Sequence, residues 1–378
     1  MRIAIQTWAL VVEAYRELNS RRLFWITLAL SGLVVAGFAA VGVSDRGFTV
    51  LGWEFESTLI NARILPPAQF YRMLFVSLGI GVWLTWAATI LALVSTAGLI
   101  PDFIASGAVE LVLSKPMSRL RLFFTKYLVG LLFAALQVAV FSAACFLVIG
   151  LRGGAWSPGV FLAVPLVVVF FSYLFSLCAL LGLVTRSTIA ALLLTLLTWI
   201  GLSLVQTAGG LIATFATANE LRLEALPEQI ERMERAERAR LEAARADGTE
   251  PTAADLDAAS PRLRERREDL RRAERDAATW RTAAGVADGL LAVLPKTQQT
   301  IALLERRLVA ATAVEDAVVA TEDGADIGPL KGVDQRELQR RMRQKMEARP
   351  AWWVIGTSLG FEVVVLAIAA WIFARRDF

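Results

Sequence analysis

The chain has 378 residues, 56% of them hydrophobic, with a mean hydropathy of +0.55, and the apolar residues gather in runs long enough to cross a bilayer, which excludes an ordinary soluble protein. It has no His, and its two cysteines, Cys145 and Cys178, lie inside apolar runs; a Cys/His metal centre is excluded and a disulfide framework is disfavoured. The net charge of +4 is unevenly placed: residues 216–350 hold 24 Lys and Arg against 26 Asp and Glu, so the remainder holds 15 basic and 9 acidic residues, and no basic patch suits nucleic acid.

In chain order, residues 1–22 read as an amphipathic helix, with Ile5, Trp8, Val12 and Tyr15 on one face and Glu13, Arg16 and Glu17 elsewhere. Such a helix can lie in the membrane interface. A cleavable signal peptide competes with this reading through Ala39-Ala40, but the charged lead is long for one, and an uncleaved anchor is expected. The first span is expected over 23–43. In the loop after it, Phe48 to Phe55 carries β-branched and aromatic residues around Gly52 and predicts a small hairpin. Pro66-Pro67 then opens a short helix with Phe70 and Tyr71 at the interface, and the second span covers about 73–100.

Residues 101–126, PDFIASGAVELVLSKPMSRLRLFFTK, are different in kind. Pro101 breaks the preceding helix and Asp102 suits the start of a new one. Ile104, Val109, Val112 and Leu113 make an apolar stripe with Glu110 off it. A turn follows at Lys115-Pro116-Met117-Ser118-Arg119, and a second helix begins with Arg119, Arg121 and Lys126. A membrane-surface loop needs only the charges, whereas a helix, a break and a second helix suggest a docking element. The stretch GAVELVLSKPMSRLRLFFTKYL resembles the cytoplasmic coupling region of type-2 ABC exporter permeases, a family that includes the permeases linked to multicopper-enzyme maturation. Gly107, Glu110, Leu111, Ser114, Lys115, Pro116, Ser118 and Arg119 carry the match. The resemblance runs to about Gln206, returns in the last span and leaves out roughly 216–350. It implies that residues 1–22 form an elbow helix, that 101–126 seat in a separate ATPase subunit, and that ATP and Mg bind there. It also implies two permease copies, as a homodimer or a pair. The bland reading of Lys115 and Arg119 is positive charge on an inward-facing loop, an excuse that Glu110 does not have.

The third span is expected over 123–149 with Gln137 inside it, the fourth over 160–184 after an outer turn at 151–158, and the fifth over 188–215 with Gln206. Six spans with the N-terminus inside put Lys115–Lys126, Arg186 and Arg375-Arg376 in the cytoplasm, an orientation that the distribution of Lys and Arg favours modestly. Residues 216–350 then form an extracytoplasmic insertion. Its expected parts are a charged helix opening at Pro227, a linker over 249–260, and a second helix from Pro261. In that second helix Leu263, Leu270, Ala277 and Ala284, with Ala273, Trp280 and Ala287, make a weak heptad seam, suggesting an antiparallel coiled-coil hairpin. Residues 290–310 read as an apolar helix on the outer surface, 311–334 as an acidic loop, and 335–349 as a charged helix.

The last span, 351–373 within a closing segment 351–378, holds Gly356 and Gly360 at close-packing spacing and Glu362 near its middle. A carboxyl group there should face protein or water; a structural hydrogen bond to a partner such as Gln206, a place on a transport path with Gln137, or proton sensing are the readings. No phosphate-binding loop, H-E-x-x-H or G-x-S-x-G occurs, so no catalytic or metal residue is expected. The expected fold is an all-α polytopic membrane protein of six spans. The expected function is the permease subunit of an exporter in a bacterial inner membrane, with both termini cytoplasmic, lipid around it and a further extracytoplasmic partner open. The alternative is a membrane-anchored scaffold or mechanotransmission protein whose external hairpin engages an envelope partner.

Overall fold

The computed structural model describes residues 22–56, 61–63, 65–105, 118–244, 250–309 and 333–375. The elbow helix expected over 1–22 therefore lies outside the described residues but for Arg22. So do Gly107, Glu110, Leu111, Ser114, Lys115 and Pro116, and all but the last two residues of the loop expected over 311–334.

Among the described residues six helices are long and apolar enough to cross a membrane, and the chain is a helical polytopic membrane protein. We label them α1 (Arg22–Ala40), α2 (Pro67–Ile104), α3 (Arg119–Gly153), α4 (Ala163–Thr185, led in by a 3-10 turn at Pro158–Leu162), α5 (Thr188–Ala244) and α10 (Ala351–Arg375). Between α5 and α10 lie α6 (Ala253–Ala259), α7 (Pro261–Val293), α8 (Thr297–Val309) and α9 (Gln335–Glu347). The chain divides into two units. The first holds 1–203, 293–317 and 351–378; the second holds 204–292 and 318–350.

In the first unit α4 is the central span, with Phe170, Phe171, Tyr173, Leu174 and Phe175 all buried. It packs on α3 and α10, and α1 and α2 complete the wall. Ser118 caps α3, its Oγ accepting from the Arg121 amide at 3.3 Å, and Gly154 ends the helix at φ +69°. The stretch Phe75–Ala88 of α2 is a π-helix: the Thr85 and Thr89 hydroxyls donate to the carbonyls of Ile80 and Leu84, five residues back, each at 2.7 Å. Gly130 lets the ring of Phe175 approach the α3 backbone, where a Cβ would collide with it.

After α1 the chain forms a three-stranded antiparallel sheet, β1 (Val41–Val43), β2 (Gly47–Val50) and β3 (Trp53–Glu56), in the order β1-β2-β3. The expected hairpin is β2–β3. Its two-residue turn places Leu51 and Gly52 at φ +53° and +90°, and Phe48 stacks on its cross-strand partner Phe55 at 5.2 Å. The additional strand β1 shortens the first span to Ala40. Tyr71 fastens it, donating to the Val41 carbonyl at 2.7 Å while accepting from Arg152 Nε at 3.1 Å.

In the second unit, a helix start expected at Pro227 is absent: Pro227 lies inside α5, which continues unbroken to Ala244. Leu226 and Ile230 on either side of Pro227 pack against Leu256 and Leu263, which holds the backbone helical despite the missing amide donor. Side-chain contacts run in opposite senses along α5 and α7. Gly209 meets Leu291, Phe215 meets Trp280 at 5.6 Å, Asn219 donates to the Ala273 carbonyl at 3.0 Å, and Glu234 takes two bonds from Arg267 at 2.7 and 3.0 Å. Hydrogen bonding to Glu234, then the nearby Glu234 and Asp257 charges, hold the Arg267 guanidinium above its usual range. Of the seven expected seam positions, Leu263 and Ala273 are buried and Leu270, Ala277, Trp280, Ala284 and Ala287 half-buried, as are Arg266, Arg267 and Asp269 off the seam.

Two further expectations need correction. The 249–260 linker contains helix α6, because Thr252 and Asp255 form a capping box and Leu256 is buried. The expected helix over 290–310 is instead the end of α7 and then α8, separated at Pro295. α9 docks on α5 through Leu338 against Ala218 and Leu221, with Arg341 bidentate to Glu224 at 2.6 and 2.9 Å and Lys345 to Glu220 at 2.9 Å.

Candidate functional site

α3, α4 and α10 enclose the one carboxyl group that lies in the middle of a span among the described residues. Glu362 is twelfth of the 25 residues of α10 and 7% exposed. Its buried-face neighbours at helical spacing are Val354, Ser358, Val365 and Ala369, so the apolar pattern that seats α10 on α4 turns the carboxyl group inward with it. Tyr127 Oη of α3 lies 2.8 Å from Glu362 Oε1, and Ser172 Oγ of α4 lies 2.7 Å from Oε2. Each hydroxyl also has a main-chain acceptor in reach: the Ser172 carbonyl for Tyr127 at 3.0 Å, and the Val169 carbonyl for Ser172 at 2.8 Å. Phe175 stacks on Tyr127 at 5.2 Å and fixes the phenol from behind. No ion pair to Glu362 occurs among the described residues, and its hydrogen-bond partners there are these two hydroxyls.

A line of polar groups continues from this node toward the start of α10. The buried Tyr173 hydroxyl stands beside the hydroxyls of Thr300 and Ser358 without closing a hydrogen bond of good geometry. Ser358, one turn before Glu362, accepts from the Lys296 amide at 2.9 Å. Lys296 Nζ donates to Thr357 Oγ1 at 2.6 Å and lies 5.6 Å from the Trp353 ring. Lys296, Thr297 and Thr300 are all buried where α8 packs against α2, α4 and α10.

At the other end of α10 the ties are short and cross several elements. Arg119 Nη1 donates to the Ala374 carbonyl at 3.2 Å, and Phe123 meets Phe373 at 5.7 Å. Lys126 lies over Phe103 at 4.9 Å, and Thr188 Oγ1 donates to Asp102 at 2.8 Å. The two described members of the expected coupling set, Ser118 and Arg119, thus sit at the start of α3, one capping that helix and the other gripping the end of α10.

Gln137 is buried on α3 and opens on a cleft also lined by Ser31, Thr89, Ala134, Val167 and Phe171. Neither of its amide atoms has a protein partner. Gln206, also buried, belongs to the second unit. Gly356 and Gly360 are exposed, and a Cβ at either would meet nothing within 4 Å among the described residues, so this face of α10 is open there. Among the described residues no three His, Cys, Asp or Glu gather as metal ligands, and the two cysteines are buried and unpaired.

Tyr127, Ser172, Tyr173 and Lys296 were missed from the sequence. A hydroxyl beside an aromatic in an apolar run, as at Ser172-Tyr173, carries only a faint signal. Nothing along the chain marks that Tyr127 and Glu362, 235 residues apart, are neighbours. Compared with protein-family models, with curated proteins and with solved structures, the chain gives no match.

Proposed function

We propose that the chain is the permease subunit of a type-2 ABC exporter, in which a separate ATPase drives transport by moving the segment between α2 and α3. The observation that carries this reading is the grip of Arg119 on the Ala374 carbonyl beside the Phe123–Phe373 contact. A push on residues 106–117 enters α3 through Ser118 and Arg119 and reaches α10 directly. The Asp102–Thr188 bond adds α2 and α5 to the same set of helix ends. A rigid-body shift delivered there would strain the Tyr127–Ser172–Glu362 node, where α3, α4 and α10 meet.

In this reading Glu110, Lys115 and Arg119 make the polar contacts to the ATPase and Pro116 shapes the turn, while Gly107, Leu111, Ser114 and Ser118 complete the docking element. ATP and Mg belong to the partner. The membrane is a bacterial inner membrane with both chain termini in the cytoplasm, and the α5–α7 pair is a coiled-coil hairpin on the outer side. Gly356 and Gly360, on the open face of α10, suit the contact between two permease copies. Glu362 and Gln137 belong to the path or to its gating.

A second reading is favoured by one feature. α5 runs without a break from Thr188 to Ala244, so its apolar span and its charged part are one continuous helix. In that mechanotransmission or scaffold protein the external hairpin, not a cargo path, is the output.

The deciding experiment is co-purification in detergent of the wild type and of Glu110→Arg, with mass spectrometry of the bound proteins. The permease reading expects an ATPase subunit with the wild type and its loss from the variant. Recovery of an envelope protein with no ATPase would replace it by the scaffold reading.

A further inference from the structure

We propose that Glu362 is a proton-binding site, loaded from water through the hydroxyl groups of Tyr173, Ser358 and Thr300. The inference is independent of whether an ATPase binds the chain. It rests on the hydrogen-bond inventory around Glu362.

Tyr127 and Ser172 each own one hydroxyl proton, and each faces two acceptors: a carboxyl oxygen of Glu362 and a main-chain carbonyl. When Glu362 is a carboxylate, both hydroxyls donate to it. When a proton from water is bound, the carboxyl O–H donates to one hydroxyl oxygen. That hydroxyl turns its own proton to the carbonyl of Ser172 or Val169. Both charge states are therefore hydrogen-bonded by the same atoms with no movement of the helices, which a purely structural carboxyl group does not require. No cation is paired with Glu362 in either state among the described residues.

The second observation is the unsatisfied Tyr173 hydroxyl. It is fully buried, one residue from Ser172, and faces Thr300 and Ser358 without a closed bond. A buried hydroxyl left open is costly unless something transient completes it, and a water entering between Tyr173, Thr300 and Ser358 would do so. From there the polar groups lead on to Lys296 and Thr357. The titratable and charged groups facing Glu362 among the described residues are Tyr127 from α3, Tyr173 from α4 and, more distantly, Lys296 ahead of α8, already bonded to Thr357. Proton uptake thus changes the charge of the node itself rather than exchanging one ion pair for another.

The test is infrared titration of the full chain in lipid nanodiscs. The expected result is a protonated-carboxyl band that grows as pH falls, disappears in Glu362→Gln, and changes frequency in Tyr127→Phe, where the acid loses one hydrogen-bond partner but Glu362 remains. After a pH jump, Tyr173→Phe should keep the band and slow its appearance several-fold. A wild type with no pH-dependent carboxyl band overturns the site. So does a band that neither Glu362→Gln nor, should that variant misfold, Tyr127→Phe alters. An unchanged rate in Tyr173→Phe overturns the route.

Discussion

Gly130 shows how a single atom governs the node around Glu362. Its missing Cβ leaves room for Phe175, and Phe175 is the ring that backs Tyr127. Gly130→Ala must displace an aromatic side chain from a close-packed interior, which costs about 1–3 kcal/mol. Thermal unfolding of the purified protein should show that loss, together with weakened positioning of Tyr127. Gly360→Ala adds the same methyl where no packing neighbour among the described residues lies within 4 Å, and should leave the isolated subunit within about 0.5 kcal/mol of wild type. The pair separates two uses of glycine that look alike in sequence: one admits a neighbour from within the chain, the other leaves an outward face clear. If the outward face packs on a second copy, Gly360→Leu should lower the dimer fraction on size-exclusion chromatography while leaving monomer stability intact.

At the scale of elements, Pro227 is the sharpest case. A proline at the first position of a helix is nearly free, whereas one in a helix interior removes a hydrogen bond and crowds the preceding turn. Because α5 continues through it, Pro227→Ala should stabilise the protein by about 2 kcal/mol once the looser unfolded chain is allowed for. The readout is a higher melting temperature by circular dichroism; no change would mean that a separate helix begins there. This element also marks the limit of what sequence reveals. Hydropathy runs located all six spans because each must satisfy its backbone internally and present apolar side chains to lipid. The turn at Gly52 was legible from local chemistry. Pro227 was misread because the local rule was overridden by packing of Leu226 and Ile230 on residues 26 to 37 positions away, a contact that no window of sequence contains. The same holds for Glu362: its intramembrane carboxyl group was visible at once, its partners on α3 and α4 were not. Lys296 looked like part of a surface helix, yet it is buried against Trp353 and Thr357, its charge carried by a hydroxyl and an aromatic face.

For the whole molecule the deciding measurement is which side of the membrane each end of the bundle faces, since the proposed ATPase contact and the proposed outer hairpin require opposite sides. The chain is well suited to the measurement. Its two native cysteines are buried, so neither should react with a membrane-impermeant maleimide in the folded protein. Ala239, on the exposed face of α5, and Arg186, in the turn between α4 and α5, can each be replaced by a single reactive cysteine. With whole cells whose outer layers admit the reagent, Ala239→Cys should label at once, and Arg186→Cys only after the inner membrane is permeabilised. That pattern puts the Arg119–Ala374 grip on the cytoplasmic side, where an ATPase can reach residues 106–117, and Lys296 with the α8 end of the polar line on the outer side. The reverse pattern would turn the bundle over. The segment between α2 and α3 would then be out of reach of any nucleotide-driven partner, the permease reading would fall, and the charged helices α7 and α9 would become the cytoplasmic face of a scaffold. Glu362 would survive either outcome as a proton site, but protons would reach it from the opposite compartment.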